Sequence, residues 1–442
     1  MVDYLFLKFK KIVPQKWGWI LEHGGFKRYF KNTGWMFMGQ VVNTIVAFFV
    51  GAYMARYLGP SNFGLLSFVV GFVGLFSFLV GFGIDGVLNR ELVKFPDKKE
   101  QLIGNGFWIK LFGAFLAFSV VNCFAYFLRN DSFTRMLIFL FSFTFLFQPF
   151  GVIGIFFQSQ VLAKKNVIVQ IIVALMTSFL KVVFILLKLD IVWFVGVFVV
   201  DVFFNTVVFL IMYYYNNFHI VWKIDWGLIK VLFRDSWPLM FITVATMIYM
   251  KIDQTMLKYM LDNEAVGIYS VAVRLSEFWY FLPNMICASV FPAIINAKRR
   301  GDDFYKKRLV ALYRLMIFLA IGIAIPAVFL AKFIVLFLFG EVYLGATVPL
   351  QIYVCAGLPV FLMTAVAQYL VVENYTKIFF VATLLGAVAN IVINIFFIPK
   401  YGIVGASFAT LISYFVPLLV VSFSLPIRKQ LVSIVFNDYE KI

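Results

Sequence analysis

Apolar runs of about 20 residues recur about twelve times along the chain, separated by short polar turns. They fall near 33–57, 63–88, 102–127, 136–158, 167–187, 191–215, 237–257, 266–291, 310–337, 350–371, 377–398 and 402–425. At about 1.5 Å per residue, each covers the roughly 30 Å of hydrocarbon in a bilayer, so the pattern predicts an all-α polytopic membrane protein. Composition agrees, with 63% hydrophobic, 20% aromatic and 13% charged residues and a mean hydropathy of +0.96 over 442 residues. Such values lie far outside the range of soluble domains.

The net charge of +17 changes the picture only through its placement. Bases cluster at Lys8–Lys31, Arg90–Lys99, Lys164–Lys165, Lys223–Arg234, Lys298–Arg308, Lys377 and Arg428–Lys441. They outnumber those of the opposite turns (Arg56, Arg129, Arg135, Lys188, Lys258, Lys400) by about four to one, which places both termini in the cytoplasm. The bases thus report topology and attraction to anionic lipid, and no nucleic-acid partner is expected. Residues 1–32 read as a cytoplasmic, interfacial N-terminal segment or as a partly disordered tail. Spans 1–6 form an N-lobe (33–220), 221–236 a cytoplasmic linker, spans 7–12 a C-lobe (237–425) and 426–442 a cytoplasmic tail. No removable signal peptide is visible, and the outer turns leave no room for a catalytic domain outside the membrane.

The chain repeats itself. Pro149 and Phe157-Gln158 match Pro359 and Ala367-Gln368 at an offset of 210. Arg56-Tyr57-Leu58 and Gly64-Leu65-Leu66-Ser67 parallel Lys258-Tyr259-Met260 and Gly267-Ile268-Tyr269-Ser270 at 202 to 203. Six spans separate the copies, so the expected architecture is two six-helix lobes in the same orientation, related by a pseudo-two-fold axis along the membrane normal. The glycines of span 2 (Gly64, Gly71, Gly74, Gly81, Gly83, Gly86) give close helix contact or bending. Pro283, Pro326 and Pro417 are expected to kink spans 8, 9 and 12.

The densest intramembrane charge lies in Ile248–Pro283, where Lys251, Asp253, Arg274 and Glu277 fall on spans 7 and 8. Each charge in hydrocarbon costs at least about 2.5–3.5 kcal/mol on insertion scales, which argues for a lined cavity. Counting back from the outer turn puts Asp253 and Arg274 at similar depth, where they can meet. Two readings stand at this point. Arg274–Glu277 is an intrahelical pair with Asp253 as a further counterion, or Arg274 and Lys251 offer positive potential to an anionic ligand while Asp253 and Glu277 orient them or bind a coupling cation, proton or sodium. Gln254 shares the Lys251 face, and Tyr249 and Trp279 lie near enough to stack on sugar rings or simply to pack. In the first half, Asp85 is expected to pair with Arg90, as gate or structure, and Lys110, Lys181 and Lys332 read as snorkelling. Cys123, Cys287 and Cys355 read as small core residues. No Ser/His/Asp set, His/Cys metal cluster, phosphate-cradling glycine loop or nucleotide motif is present, so neither an enzyme nor a cofactor is expected.

The strings FKNTGWMFMGQ, ARYLGPSNFGLLSF, GFGIDGVLNREL and MKIDQTML followed by AVGIYSVAVRLSEFWYFLP resemble the polysaccharide/oligosaccharide flippases of the multidrug/oligosaccharidyl-lipid/polysaccharide exporter superfamily, over residues 30–425. The resemblance implies two six-helix lobes in a V and alternating access. It also implies carriage of an O-antigen-type oligosaccharide on a polyprenyl pyrophosphate from the cytoplasmic to the outer leaflet of a bacterial inner membrane, by a monomer. Twelve spans, with Thr44 and Val50 where the lipid II flippases carry arginines, separate the chain from those relatives. The alternatives are a cation-coupled multidrug exporter of the same fold and, from another class, a membrane glycan polymerase or ligase.

Overall fold

The computed structural model describes residues 24–128, 130–216, 218, 220, 222–373, 375–423 and 427–428. Expectations for 1–23 and 429–442, including the placement of the termini, lie outside these residues. All elements are helices, with no strand among the described residues. This is what hydrocarbon demands, because a helix satisfies its backbone polar groups internally.

The first element, α1 (Gly24–Gly74), is two helices run together across Gly59, whose φ of 71° and ψ of 170° suit glycine, with Pro60 opening the second. The second predicted span continues as α2 (Ser77–Gly81) and α3 (Ile84–Lys94), interrupted by left-handed Phe82 and Gly83. Next come α4 (Lys99–Phe127) and the segmented fourth span, α5 (Ser132–Ser142), α6 (Thr144–Phe147) and α7 (Val152–Ser159), broken by a 3-10 turn at Gln148–Gly151. The helices α8 (Ala163–Leu186) and α9 (Ile191–Tyr215) are single crossings. In the second half, α10 (Trp226–Met260) precedes α11 (Asn263–Glu277) and α12 (Phe281–Arg300), which a 3-10 turn at Phe278–Tyr280 divides. The long α13 (Asp302–Phe339), the pair α14 (Thr347–Cys355) and α15 (Gly357–Val372), and α16 (Thr376–Ser422) complete the set.

By length and composition, eight helices among the described residues are long and apolar enough to cross a membrane, or nine with the bent pair Trp226–Trp237 and Leu239–Met260. Two of the eight, Asn32–Lys94 and Lys377–Ser422, run to 63 and 46 residues, enough for two crossings each. The second folds back on itself at Gly402 (φ 57°). Asn390 Nδ2 donates to Ser413 Oγ at 3.2 Å, although a straight helix would hold them about 35 Å apart. The described residues of the twelve predicted runs fall mainly on helix. Span 8 breaks at Phe278–Tyr280, just before Pro283, where a kink is expected, and the stretch 263–300 is not among the eight helices that are long and apolar enough to cross. The predicted linker is also helical from Trp226 onward and bends by 46° into Leu239–Met260.

Packing divides the chain into one unit of residues 1–50 and 76–240 and another of residues 51–75 and 241–442. The core of the first gathers Leu88, Leu92, Phe107, Phe156, Phe157 and Tyr213 from α3, α4, α7 and α9. That of the second gathers Met316, Tyr313, Phe361, Val366 and Val421 from α13, α15 and α16.

Within the second unit the sequence repeat becomes visible as geometry. The stretch from Pro60 to the end of α1 at Gly74 matches α11, Asn263–Glu277, at the single offset of 203. A Cβ at Gly64 would meet the Asn263 carbonyl oxygen and the Gly267 nitrogen, and one at Gly267 would meet the Pro60 carbonyl oxygen and the Gly64 nitrogen. Reciprocal contact between equivalent residues is the signature of a local two-fold. Small residues permit it by letting backbones touch. Gly→Ala in a helix ordinarily gains about 1 kcal/mol, whereas overpacking against backbone costs about 1–3 kcal/mol or more. The clash wins, so Gly267→Ala and Gly64→Ala are expected to lower the thermal midpoint of the purified protein. Gly74→Ala, whose Cβ meets nothing within 4 Å, should leave it unchanged or raise it slightly, since there only the helix-propensity gain acts.

Candidate functional site

The four charged candidates of the second unit fall into three separate arrangements. The innermost is Asp253, 2% exposed on α10. Its carboxylate accepts from Tyr269 Oη at 2.7 Å, from Thr410 Oγ1 at 2.6 Å and from Asn394 Nδ2 at 3.0 Å. Asn394 also donates to Asn390 Oδ1 at 3.0 Å, and its own Oδ1 is buried without a hydrogen-bond partner. Neutral donors therefore take up Asp253, which corrects the expectation that it meets Arg274. The fold-back of α16 makes this possible by bringing Asn390 and Asn394 on one arm level with Thr410 and Ser413 on the other.

A second arrangement joins Lys251, whose Nζ donates to Glu277 Oε2 at 3.5 Å, with Tyr353, whose hydroxyl donates to Glu277 Oε1 at 3.3 Å. Glu277 closes α11 and pairs across to α10, which corrects the intrahelical Arg274–Glu277 pair. The third is Arg274. Its partly buried side chain runs to Gly51 on α1, where a Cβ would overlap the guanidinium. Gln254 mirrors it, because a Cβ at Gly71 would lie 2.7 Å from Gln254 Oε1. Gly51 is the repeat equivalent of Gln254, and Gly71 that of Arg274, at the same offset of 203. The local two-fold thus sets a long polar side chain against a glycine twice over.

The aromatic candidates divide. Tyr249 stacks on Tyr414 with centroids 4.3 Å apart, a packing contact. Trp279, in the 3-10 turn after Glu277, is exposed and meets Phe278 edge-on at 5.0 Å.

In the first unit, Asp85 pairs with Lys110, Nζ to Oδ1, at 2.5 Å. Arg90 binds Asp235 at 2.8 Å and Glu91 at 2.9 Å. This corrects the expected Asp85–Arg90 pair, and Lys110, with a side chain only 7% exposed, does not snorkel. Cys123 is exposed, unlike Cys287, so it is not the core residue expected.

Sequence reasoning passed over Asn390, Asn394 and Thr410. Two signals mark them: amides four apart on one face of an otherwise apolar span, and Ser407, Thr410 and Ser413 three apart on the next. Together the arrangements can hold a small hard cation or a proton beside Asp253, since oxygen ligands suit both. A guanidinium such as that of Arg274 can bind an anion through paired N–H donors.

Comparison with known proteins places the fold. A flippase structure titled "Lipid II flippase MurJ, inward closed conformation" superposes with a TM-score of 0.67 at 17% identity, over 90% of this chain and 89% of that one. An inward-facing multidrug resistance MATE family transporter of the MOP superfamily gives 0.69 at 10% identity, over 88% and 95%. A third, the MATE multidrug transporter DinF-BH, gives 0.60 at 16% identity, over 91% and 96%. The curated "Probable flippase AglR" of Haloferax volcanii is 28% identical over 184 residues, which is 38% of this chain. The matched stretch spans only 36% of that relative's length. The chain has the multi-pass helical fold of these transporters. With a family model described as "Polysaccharide biosynthesis protein" matching residues 29–298, the chain belongs to that polysaccharide biosynthesis family.

Proposed function

We propose that the chain is a flippase that carries a polyprenyl-pyrophosphate-linked oligosaccharide from the cytoplasmic to the outer leaflet of the cell membrane by alternating access through a cationic cavity. The observation that carries this reading is Arg274, a guanidinium on α11 that lies against Gly51 and is still partly exposed. A charge held within a membrane protein is retained for a ligand or a pathway. Family membership supports a glycan as cargo, and the similar proteins named as flippases support a lipid-linked form of it. The lipid tail stays in hydrocarbon while only the head group needs shelter, so no ATP motor is required if an ion gradient does the work.

Asp253 is the coupling carboxylate in this reading. Its hydroxyl and amide shell, with the unpartnered Asn394 Oδ1, suits a proton or a sodium ion, and Glu277 orients Lys251. Both termini lie in the cytoplasm, and the chain works as a monomer. The fold similarity to MATE transporters favours a second reading, a cation-coupled multidrug exporter. Depletion of the protein in its native cell separates the two. Lipid-linked oligosaccharide accumulating on the cytoplasmic leaflet, with loss of one surface glycan, is expected; unchanged glycan with new sensitivity to cationic dyes overturns the flippase reading.

A further inference from the structure

The Asp85–Lys110 pair is lopsided. Lys110 Nζ lies 2.5 Å from Asp85 Oδ1, yet the lysine side chain is 7% exposed and the aspartate side chain 63%. Lys110 stands eleven residues into α4, about 16 Å from its start at Lys99, and Asp85 nine residues, about 14 Å, from the end of α3. Asp85 lies in the first turn of α3, a helix that goes on to carry Asn89, Arg90, Glu91 and Lys94. A carboxylate as exposed as this does not face lipid, because hydrocarbon would not tolerate the charge. Gly86, beside it, has open space where a side chain would stand.

Toward the rim, α3 carries Arg90, 57% exposed, and then Lys94. There a cavity of about 440 Å³ opens between Arg90, Glu91, Lys94, Leu228, Leu232 and Asp235. In the Asp85–Lys110 pair the base is dry and the acid wet, so the acid is the partner that can leave. A buried ammonium left alone is strongly disfavoured, and release of Asp85 therefore requires another anion in its place.

We propose that Lys110 is a phosphate-binding base in the first unit and that Asp85 is its resident counterion, displaced when a phosphate oxygen arrives. The ligand class is a phosphate or pyrophosphate ester. Resting on the flippase reading, the source is the pyrophosphate of the lipid-linked cargo. Lys110 then receives the head group, and Asp85 returns to it on release, so the empty site never holds an unpaired buried charge.

Binding to the full-length protein in nanodiscs tests this, with polyprenyl pyrophosphate and inorganic pyrophosphate as separate probes. Asp85→Asn removes the competing anion and should tighten binding at least about fivefold, since one lost charge contact is worth on the order of a tenfold change. Lys110→Met and the double variant Asp85→Asn/Lys110→Met should both bind at least about tenfold more weakly than Asp85→Asn. Lys110→Arg should bind like the wild type. The double variant removes both ions together and keeps the fold, which its thermal midpoint checks. A response by inorganic pyrophosphate marks a site that reads phosphate alone, and a response confined to the polyprenyl form marks the lipid head group. An affinity that ignores both Asp85→Asn and the double variant, in protein of normal midpoint, overturns the proposal. Transport that persists alongside that result leaves the flippase reading standing; binding that responds in a protein that moves no lipid-linked glycan overturns the flippase reading alone.

Discussion

Arg274→Ala is expected to slow movement of a pyrophosphate-linked oligosaccharide across reconstituted bilayers by at least about 100-fold, the equivalent of roughly 2.8 kcal/mol. A charge-assisted hydrogen bond contributes about 1.5–3 kcal/mol, and a pyrophosphate offers the guanidinium two such bonds at once. Folding should survive, because the side chain ends against the bare face of Gly51 rather than in a close-packed core. Gly51→Ala is the informative companion. Its new methyl overlaps the guanidinium, the far end of a flexible side chain, and so displaces the charge without removing it. Transport by Gly51→Ala should fall between that of the wild type and Arg274→Ala, with thermal midpoints of all three within a few degrees. Full transport by Arg274→Ala in normally folded protein would remove the residue from the mechanism.

The second large effect falls on Asp253. Asp253→Ala removes the shared acceptor of the Tyr269 and Thr410 hydroxyls and the Asn394 amide, leaving Thr410 with the Ala406 carbonyl and Asn394 with Asn390. Three buried hydrogen bonds lost at about 0.5–1.5 kcal/mol each, with the cavity left behind, are a large share of the total stability of any domain. The Ala variant should therefore scarcely accumulate. Asp253→Asn keeps the volume and one acceptor but not the charge, and should accumulate to at least about half the wild-type level. The Asn variant separates coupling from structure: its transport should no longer respond to an imposed proton or sodium gradient. Gradient-driven transport by Asp253→Asn would move the coupling site elsewhere.

Much of the fold was legible because hydrocarbon leaves a chain few choices. Runs of about 20 apolar residues give spans. The Gly64 and Gly267 match in the sequence marked two backbones that touch. The charged residues were legible as a set, and their pairing was not. Depth counting gives the height of a residue along a helix but not which neighbour it faces. Counting along the helices puts Asp253 and Arg274 at comparable depth, yet the fold-back at Gly402 brings Asn394 and Thr410 to the aspartate. No spacing between Asp85 and Arg90 discloses that Lys110, on another helix, reaches Asp85 first. Pairing across helices depends on rotation about each axis, and the left-handed break at Phe82 and Gly83 resets that rotation within span 2.

The central reading is tested most directly by purified wild-type protein reconstituted in one orientation, with a labelled polyprenyl-pyrophosphate oligosaccharide placed in the leaflet that corresponds to the cytoplasm. The head group should become accessible to a membrane-impermeant glycosidase on the opposite side, faster under an ion gradient and not at all with Arg274→Ala. Uptake of a cationic dye by the same vesicles, with the glycan held in its original leaflet, is the result that contradicts it.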